Sequence, residues 1–375
     1  MRDASCASPP PARTGGVDYG SAVAEHGRAQ IVHMSRGAVV VAERPLGRSL
    51  RGDFEPPDML LLAYNRDWIE TLRAVVSAAE GQARVGLLVT PSEVSHLGQS
   101  GLGNPPHVDV LRTALDSPWI RDYGPIETYD DVFGAVWLDY DYTWSRPADD
   151  RLPRWLARVL RTRLEASTFV LDGGAIISNG QGLCALTTTS LADSGLTLER
   201  DAELARFLAA LGCAVTAVLP QVPGERTGHA DMIGQFLSPE HVMVAELDAR
   251  IHPETAARLD ETAEQLLAAA GMANQPLEVS RVPIAVDGNR FYSYVNATRL
   301  RSRLLVPKFS FVPETVEQTA YRALRVALPA VELVAIDADK LINHGGALHC
   351  LTLGLGSSER RQRGPAAKRM RKRRG

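Results

Sequence analysis

FVLDGGAIISNGQGLCALTT, residues 169–188, runs from a polar cluster with paired glycines through an apolar stretch and a turn into a second apolar stretch. GHADMIGQFLSPEHVMVAEL at 228–247 has the same plan, as do WIRDYGPIETYDDVFGAVWLDY at 119–140 and YSYVNATRLRSRLLVPKF at 292–309. HGGALHCLTLGLG at 344–356 supplies a fifth polar cluster, and its pattern predicts a strand that presents one thiol, Cys350. Units of like form recurring at roughly 50 to 60 residues point to a radial or stacked repeat before any two-domain division.

Between these strand pairs, apolar residues at three- and four-residue spacing predict helices over 66–80, 150–164, 193–211, 253–271 and 313–327. The alternation predicts an α/β protein. In a radial arrangement the inner strand of each unit would carry Asp122, Asp172, His229 with Asp231, Asn296 and Cys350 to one shared axis. The alternative is a doubly wound sheet with its cleft at a topological switch point. Its dinucleotide-binding form needs GxGxxG opening a helix, whereas GQSGLGNPP at 98–106 runs into a proline pair and lacks a ribose carboxylate. Upstream, IVHM and AVVVA predict an added hairpin.

The chain of 375 residues, 45% hydrophobic and 23% charged, has material for a large core. No apolar run reaches the length of a membrane span, and the N-terminus lacks the apolar centre of a secretory signal, so cytoplasm is the expected location and no membrane contact is expected. Residues 1–30 read as a flexible lead-in, 31–357 as one catalytic α/β domain, and 358–375 as a basic disordered tail. Nine positive charges fall within 360–374, so the preceding chain carries −12 of a total of −3. An acidic body favours a cationic substrate. The tail has no interleaved aromatics for base stacking, and nucleic-acid contact through it is not expected. The sequence carries no signal of oligomeric state.

Cys6, Cys184, Cys213 and Cys350 are far apart and form no CxxC, which predicts free thiols and neither a disulfide framework nor a thiolate zinc site. Cys184 and Cys213 read as buried small hydrophobes. His229 and Asp231, two apart, would share a face of a strand. Asp122 beside Arg121 reads alone as a surface pair or turn carboxylate, Asp172 before Gly173 and Gly174 as a turn residue, and Asn296 as a strand amide. Together, a thiol, an imidazole, carboxylates and an amide at equivalent points of similar units read as a site. There is no HExxH or second close His for a metal, and no GxSxG for a serine hydrolase.

WIRDYGP (119–125), LDGGAI (171–176), GHADMIGQF (228–236), YVN (294–296) and GGALHC (345–350) resemble, in order, the motifs of the agmatine deiminase and bacterial-type peptidylarginine deiminase family of guanidino-group-modifying enzymes. The resemblance covers about residues 52–356. It implies a five-bladed α/β propeller of ββαβ units with a pseudo-fivefold axis. By motif it implies Cys350 as nucleophile, His229 as general acid/base, Asp172 as the carboxylate that orients the histidine, and Asp122 and Asp231 as the grip on the guanidinium. Asn296 matches a substrate-side amide, and Trp119 and Arg146 fall on the substrate side too. Ala175 replaces an Asn common in the family, and Trp144 stands where a further basic residue is expected beside Arg146. RDYGP and GGALHC are nearer the peptidylarginine side, which implies an arginine-like or peptide substrate. Agmatine deimination to N-carbamoylputrescine, amidino transfer on the same fold and a noncatalytic scaffold are the alternatives.

The implied chemistry is coherent. A guanidinium is a flat cation with donors in a fixed fork, so carboxylates at its edges expose the central carbon to a thiolate. A histidine then protonates the leaving ammonia and later activates water. No metal or organic cofactor is called for.

Overall fold

The computed structural model describes residues 29–34, 37–42, 47–288 and 290–356. Cys6 and nearly all of the two expected tails, 1–30 and 358–375, lie outside the described residues.

One sheet plan recurs through the chain. Ile126–Asp130 pairs antiparallel with Gly134–Asp141, which pairs parallel with Arg163–Val170. The helix Leu152–Leu160 makes the crossover between the parallel strands. Ile176–Ser178, Leu183–Thr187 and Val215–Leu219 repeat this pattern. So do Gly234–Ser238, His241–Glu246 and Glu278–Pro283, and then Thr298–Arg299, Arg303–Lys308 and Glu332–Asp337. The parallel step demands a crossover, and the helices Asp201–Leu211, Pro253–Met272 and Glu314–Ala327 supply it. In the remaining unit Thr352–Leu355 pairs antiparallel with Met59–Ala63, which pairs parallel with Arg84–Val89. The end of the described chain thereby closes a sheet begun near its start.

The strands at unit centres, such as Leu60 to Leu62 and Val242 to Ala245, are fully buried. They carry continuous aliphatic runs because both of their faces are covered. The predicted hairpin forms as Gln30–His33 with Ala38–Val41 and adds to the second sheet beside Val215–Leu219.

Three of the predicted helices match within a few residues, and two differ. Over 150–164 the helix stops at Leu160, where Arg161 turns left-handed (φ 54°), and the next strand begins at Arg163. Over 193–211 there are two helices, Thr188–Asp193 and Asp201–Leu211. Gly195 at φ +68° ends the first, because only glycine takes that backbone without cost.

Two sequence expectations are corrected. Cys184 and Cys213 are bonded as a disulfide, both fully buried, instead of being free. Sequence spacing hid the pair because the crossover helix separates them by 29 residues and then returns Cys213 beside the strand of Cys184. The polar clusters, moreover, do not lie on strands. Asp122 sits in the one-turn helix Ile120–Tyr123, His229 and Asp231 at the turn Ala230–Met232, Asp172 just before the turn Gly173–Ala175, and Cys350 in the turn Leu348–Leu351. Each turn feeds a strand. A strand would send neighbouring side chains to opposite faces, whereas a tight turn lets several converge.

Candidate active site

The turns converge on a cavity of about 390 Å³ lined by Trp119, Asp122, Asp172, His229, Arg146 and Cys350, among others. His229 stands between two carboxylates, with Nε2 3.4 Å from Asp172 Oδ2 and Nδ1 3.5 Å from Asp122 Oδ1. The Thr143 N–H donates to Asp172 Oδ1 at 3.1 Å and holds that carboxylate in place. Burial works against a charge on His229, yet Asp122 and Asp172 raise it to about 10. Burial pushes Asp122 up to about 7 against the pull of the His229 charge. The carboxylates on either side thus favour the charged form of the imidazole.

Cys350 is the free cysteine among the described residues and is 3% exposed. Burial, then Asp231 and Asp122, push its thiol well above the usual range. At rest the site therefore holds a neutral thiol and an imidazolium. A cation bound against Asp122 and Asp231 would remove the anionic field that holds the thiol proton on.

Asp231 and Asn296, both fully buried, lie beside Cys350 and are not among the residues lining the cavity. Asp231 Oδ2 lies 4.0 Å from Cys350 Sγ and 2.7 Å from His349 Nδ1. Asn296 Oδ1 accepts from the His349 N–H at 3.0 Å, which turns its Nδ2 toward Sγ at 3.4 Å and toward the Asp231 carbonyl at 3.3 Å. Two carboxylate oxygens, Asp122 Oδ1 and Asp231 Oδ1, are buried without a hydrogen-bond donor. Buried acceptors left open in this way are what a donor-rich cation completes.

Gly174 makes the cluster possible. A Cβ there would lie 2.7 Å from Asp122 Oδ1, 2.8 Å from His229 Nδ1 and 3.1 Å from Asp231 Oδ2. Gly346 similarly lets Trp119 pack against the backbone beside Cys350, since a Cβ would meet the indole at 2.6 Å. Trp119 in turn leans on Trp68, ring centroids 5.1 Å apart.

Arg146 lines the cavity with its guanidinium 5.2 Å from the Trp144 ring and Nη1 donating to Tyr142 Oη at 3.3 Å. Two further charged lining residues were not singled out from sequence, Asp193 and Arg226. Arg226 sits at the tip of a turn braced by Glu225, which accepts from the Thr227 and Gly228 N–H groups. Its place in GERTGHAD, three residues before His229, was the available signal. Among the described residues no group of three or more His, Cys, Asp or Glu is arranged to hold a metal ion.

A thiol, a carboxylate-flanked imidazole and open buried acceptors at the turns of a repeated α/β unit define a cysteine-centred site of the kind that handles a planar cation. The chain belongs to the Porphyromonas-type peptidyl-arginine deiminase family, whose sequence model matches residues 58–355. It is similar to the agmatine deiminase of Stutzerimonas stutzeri, 24% identical over 304 residues, which span 70% of this chain and 81% of that one. Among solved structures it resembles the agmatine deiminase of Enterococcus faecalis, with a TM-score of 0.74 at 17% identity, covering 84% of this chain and all of that one. The C. jejuni agmatine deiminase gives a TM-score of 0.67 at 18% identity over 87% of this chain and 98% of that one. These likenesses place the fold in the same mixed α/β class.

Proposed function

We propose that the chain is a hydrolase that converts a guanidino group to a ureido group and ammonia, with Cys350 as nucleophile and His229 as proton carrier. The observation that carries this reading is a single cavity on which a buried thiol and an imidazole held between Asp122 and Asp172 both open. Asp122 takes one edge of the guanidinium from the cavity wall, the open Oδ1 of the buried Asp231 beside the thiol takes the other, and Trp119 lies alongside. Substrate binding releases the thiol proton to solvent, and the thiolate sulfur bonds to the central carbon as the C=N π pair moves onto nitrogen. The imidazolium of His229 gives its proton to one nitrogen, the C–N bond breaks, and ammonia leaves a covalent thiouronium. His229, now neutral, takes a proton from water, whose oxygen bonds to the same carbon. The C–S bond breaks, returning the thiol and releasing the ureido product. Asp172 orients the imidazole throughout, and Asn296 fixes the sulfur.

Arg146 and Arg226 on the cavity wall favour a substrate with an anionic far end, an arginine or peptide with a free carboxylate, over agmatine, whose far end is a cation. Asp193 on the same wall is read as the partner of an α-ammonium. The five sheet units are read as blades closed about a pseudo-fivefold axis, with residues 31–357 as one catalytic domain. No helix among the described residues is long and apolar enough to cross a membrane. A cytoplasmic location completes the reading, and the buried Cys184–Cys213 bridge is the feature that tests it, because bridges are uncommon in a reducing compartment.

The deciding experiment measures ammonia and ureido product with agmatine, free arginine and a short peptide ending in arginine. Turnover that vanishes in Cys350→Ala, with a haloacetamidine labelling Cys350 alone, supports the reading. A new guanidine formed from an added amine, without ureido product, points to amidino transfer instead. No turnover on any guanidine defeats it.

A further inference from the structure

Behind the cavity wall a line of charged side chains runs outward from the thiol. Beyond the Asp231–His349 contact, His349 Nε2 lies 3.4 Å from Asp53 Oδ1, and Arg121 Nη1 donates to the same Asp53 oxygen at 2.9 Å. Arg121 Nε donates to Thr352 O at 3.2 Å. His349 immediately precedes Cys350, and Arg121 immediately precedes Asp122. One carboxylate therefore holds the chain neighbours of both the thiol and the cavity-facing aspartate. Asp53 is itself anchored from both sides. The Glu55 N–H closes a turn on Gly52 O at 3.0 Å, and Arg51 donates to Gly354 O at 3.1 Å while lying 3.2 Å from Glu127 Oε2.

We propose that Asp53 is a positioning residue for the reaction: through Arg121 and His349 it sets Cys350 relative to Asp122, and through His349 it holds the imidazole against Asp231 beside the sulfur. The proposal rests on Cys350 being the nucleophile. Burial and Arg121 work against a charge on His349, but Asp53 and Asp231 outweigh them and raise it. The groups facing the sulfur are then Asp231, offset by His349, together with Asp122 and the Asn296 amide. Without the Asp53 charge, His349 and Arg121 become two buried cations with no anion between them, and His349 is the one able to release its proton. The sulfur then faces an uncompensated carboxylate and holds its own proton more tightly.

The test compares the parent with Asp53→Asn, Asp53→Glu and His349→Gln, reading kcat and KM with arginine and the pH dependence of Cys350 alkylation by iodoacetamide. Asp53→Asn should lower kcat about 10²-fold, the cost of a misplaced reacting group, and move the alkylation midpoint to higher pH. His349→Gln should move the midpoint the same way, and Asp53→Glu should return both readouts toward the parent. A merely structural Asp53 would lower the melting temperature and leave the midpoint in place, which overturns the proposal, as does kcat in Asp53→Asn equal to the parent's. Should Asp53→Asn fail to fold, His349→Gln keeps the Asp53–Arg121 pair and decides by its midpoint. A parent inactive on every guanidine would defeat the deiminase reading, while the alkylation midpoints would still decide the role of Asp53.

Discussion

Asn296 points its Nδ2 at Cys350 Sγ across 3.4 Å, and its Oδ1 accepts from the backbone that carries the cysteine. One amide thus sets both where the sulfur lies and which donor it meets. Asn296→Ala removes both functions and should lower kcat on the order of 10²-fold. Asn296→Asp should do worse, since a second carboxylate beside Asp231 raises the thiol further. Single-turnover rates with arginine, alongside alkylation rates, check the order.

The pH profile of kcat/KM should be bell-shaped. Asp122, pushed up to about 7 by burial, takes a proton as pH falls through that value and ceases to accept from a guanidinium, so the acid limb descends. His229, held at about 10 by Asp122 and Asp172, loses its proton above that value and cannot protonate the leaving nitrogen, so the basic limb descends. Asp122→Asn should abolish the acid limb and cost on the order of 10²-fold in kcat/KM, the scale for losing one partner of a buried charged pair.

Gly174→Ala should separate Asp122 from His229, because the added methyl would lie within 3 Å of both. Activity should fall about 10²-fold, with the circular dichroism spectrum unchanged. Full activity in this variant would show that the two side chains can part without consequence.

Replacing both Cys184 and Cys213 by alanine should lower unfolding free energy by about 2–4 kcal/mol, the usual worth of a bridge closing a loop of this kind. The bridge lies in the apolar cluster around Phe207, apart from the cluster that contains Cys350. Specific activity of the folded fraction should therefore stay at the parent level. Urea unfolding followed by tryptophan fluorescence, with and without reductant on the parent, measures both.

Arg226→Glu should shift substrate preference toward agmatine. The change replaces a cation on the cavity wall with an anion, which favours the terminal ammonium of agmatine over the carboxylate of arginine, so a roughly tenfold rise in the agmatine-to-arginine ratio of kcat/KM is expected. A ratio that stays constant would remove Arg226 from the specificity surface.

The repeat plan, the added hairpin and most of the helices were legible from pattern alone, since strand pairs and amphipathic helices are written in short-range periodicity. His229, Asp122, Asp172 and Cys350, proposed from their motifs, do line one cavity. Helical spacing runs unbroken over 193–211, whereas the backbone breaks at Gly195 with a positive φ. Asp53 and Arg226 went unremarked because a carboxylate in a loop and an arginine in a turn look like surface charges until the chain folds back on them.

Local order in this protein follows from its own residues: apolar alternation makes the strands, helical spacing makes the crossovers, and glycines end or tighten the turns. Tertiary structure alone decided that the thiol would sit on a helical turn, that Cys184 would meet Cys213, and that Asp53 would reach Arg121 and His349 across 68 and 296 residues of chain. The physical reason is range. Backbone preference acts over a few neighbours, whereas a buried charge or thiol takes its partner and its ionisation from whatever distant segments packing brings within a few ångströms.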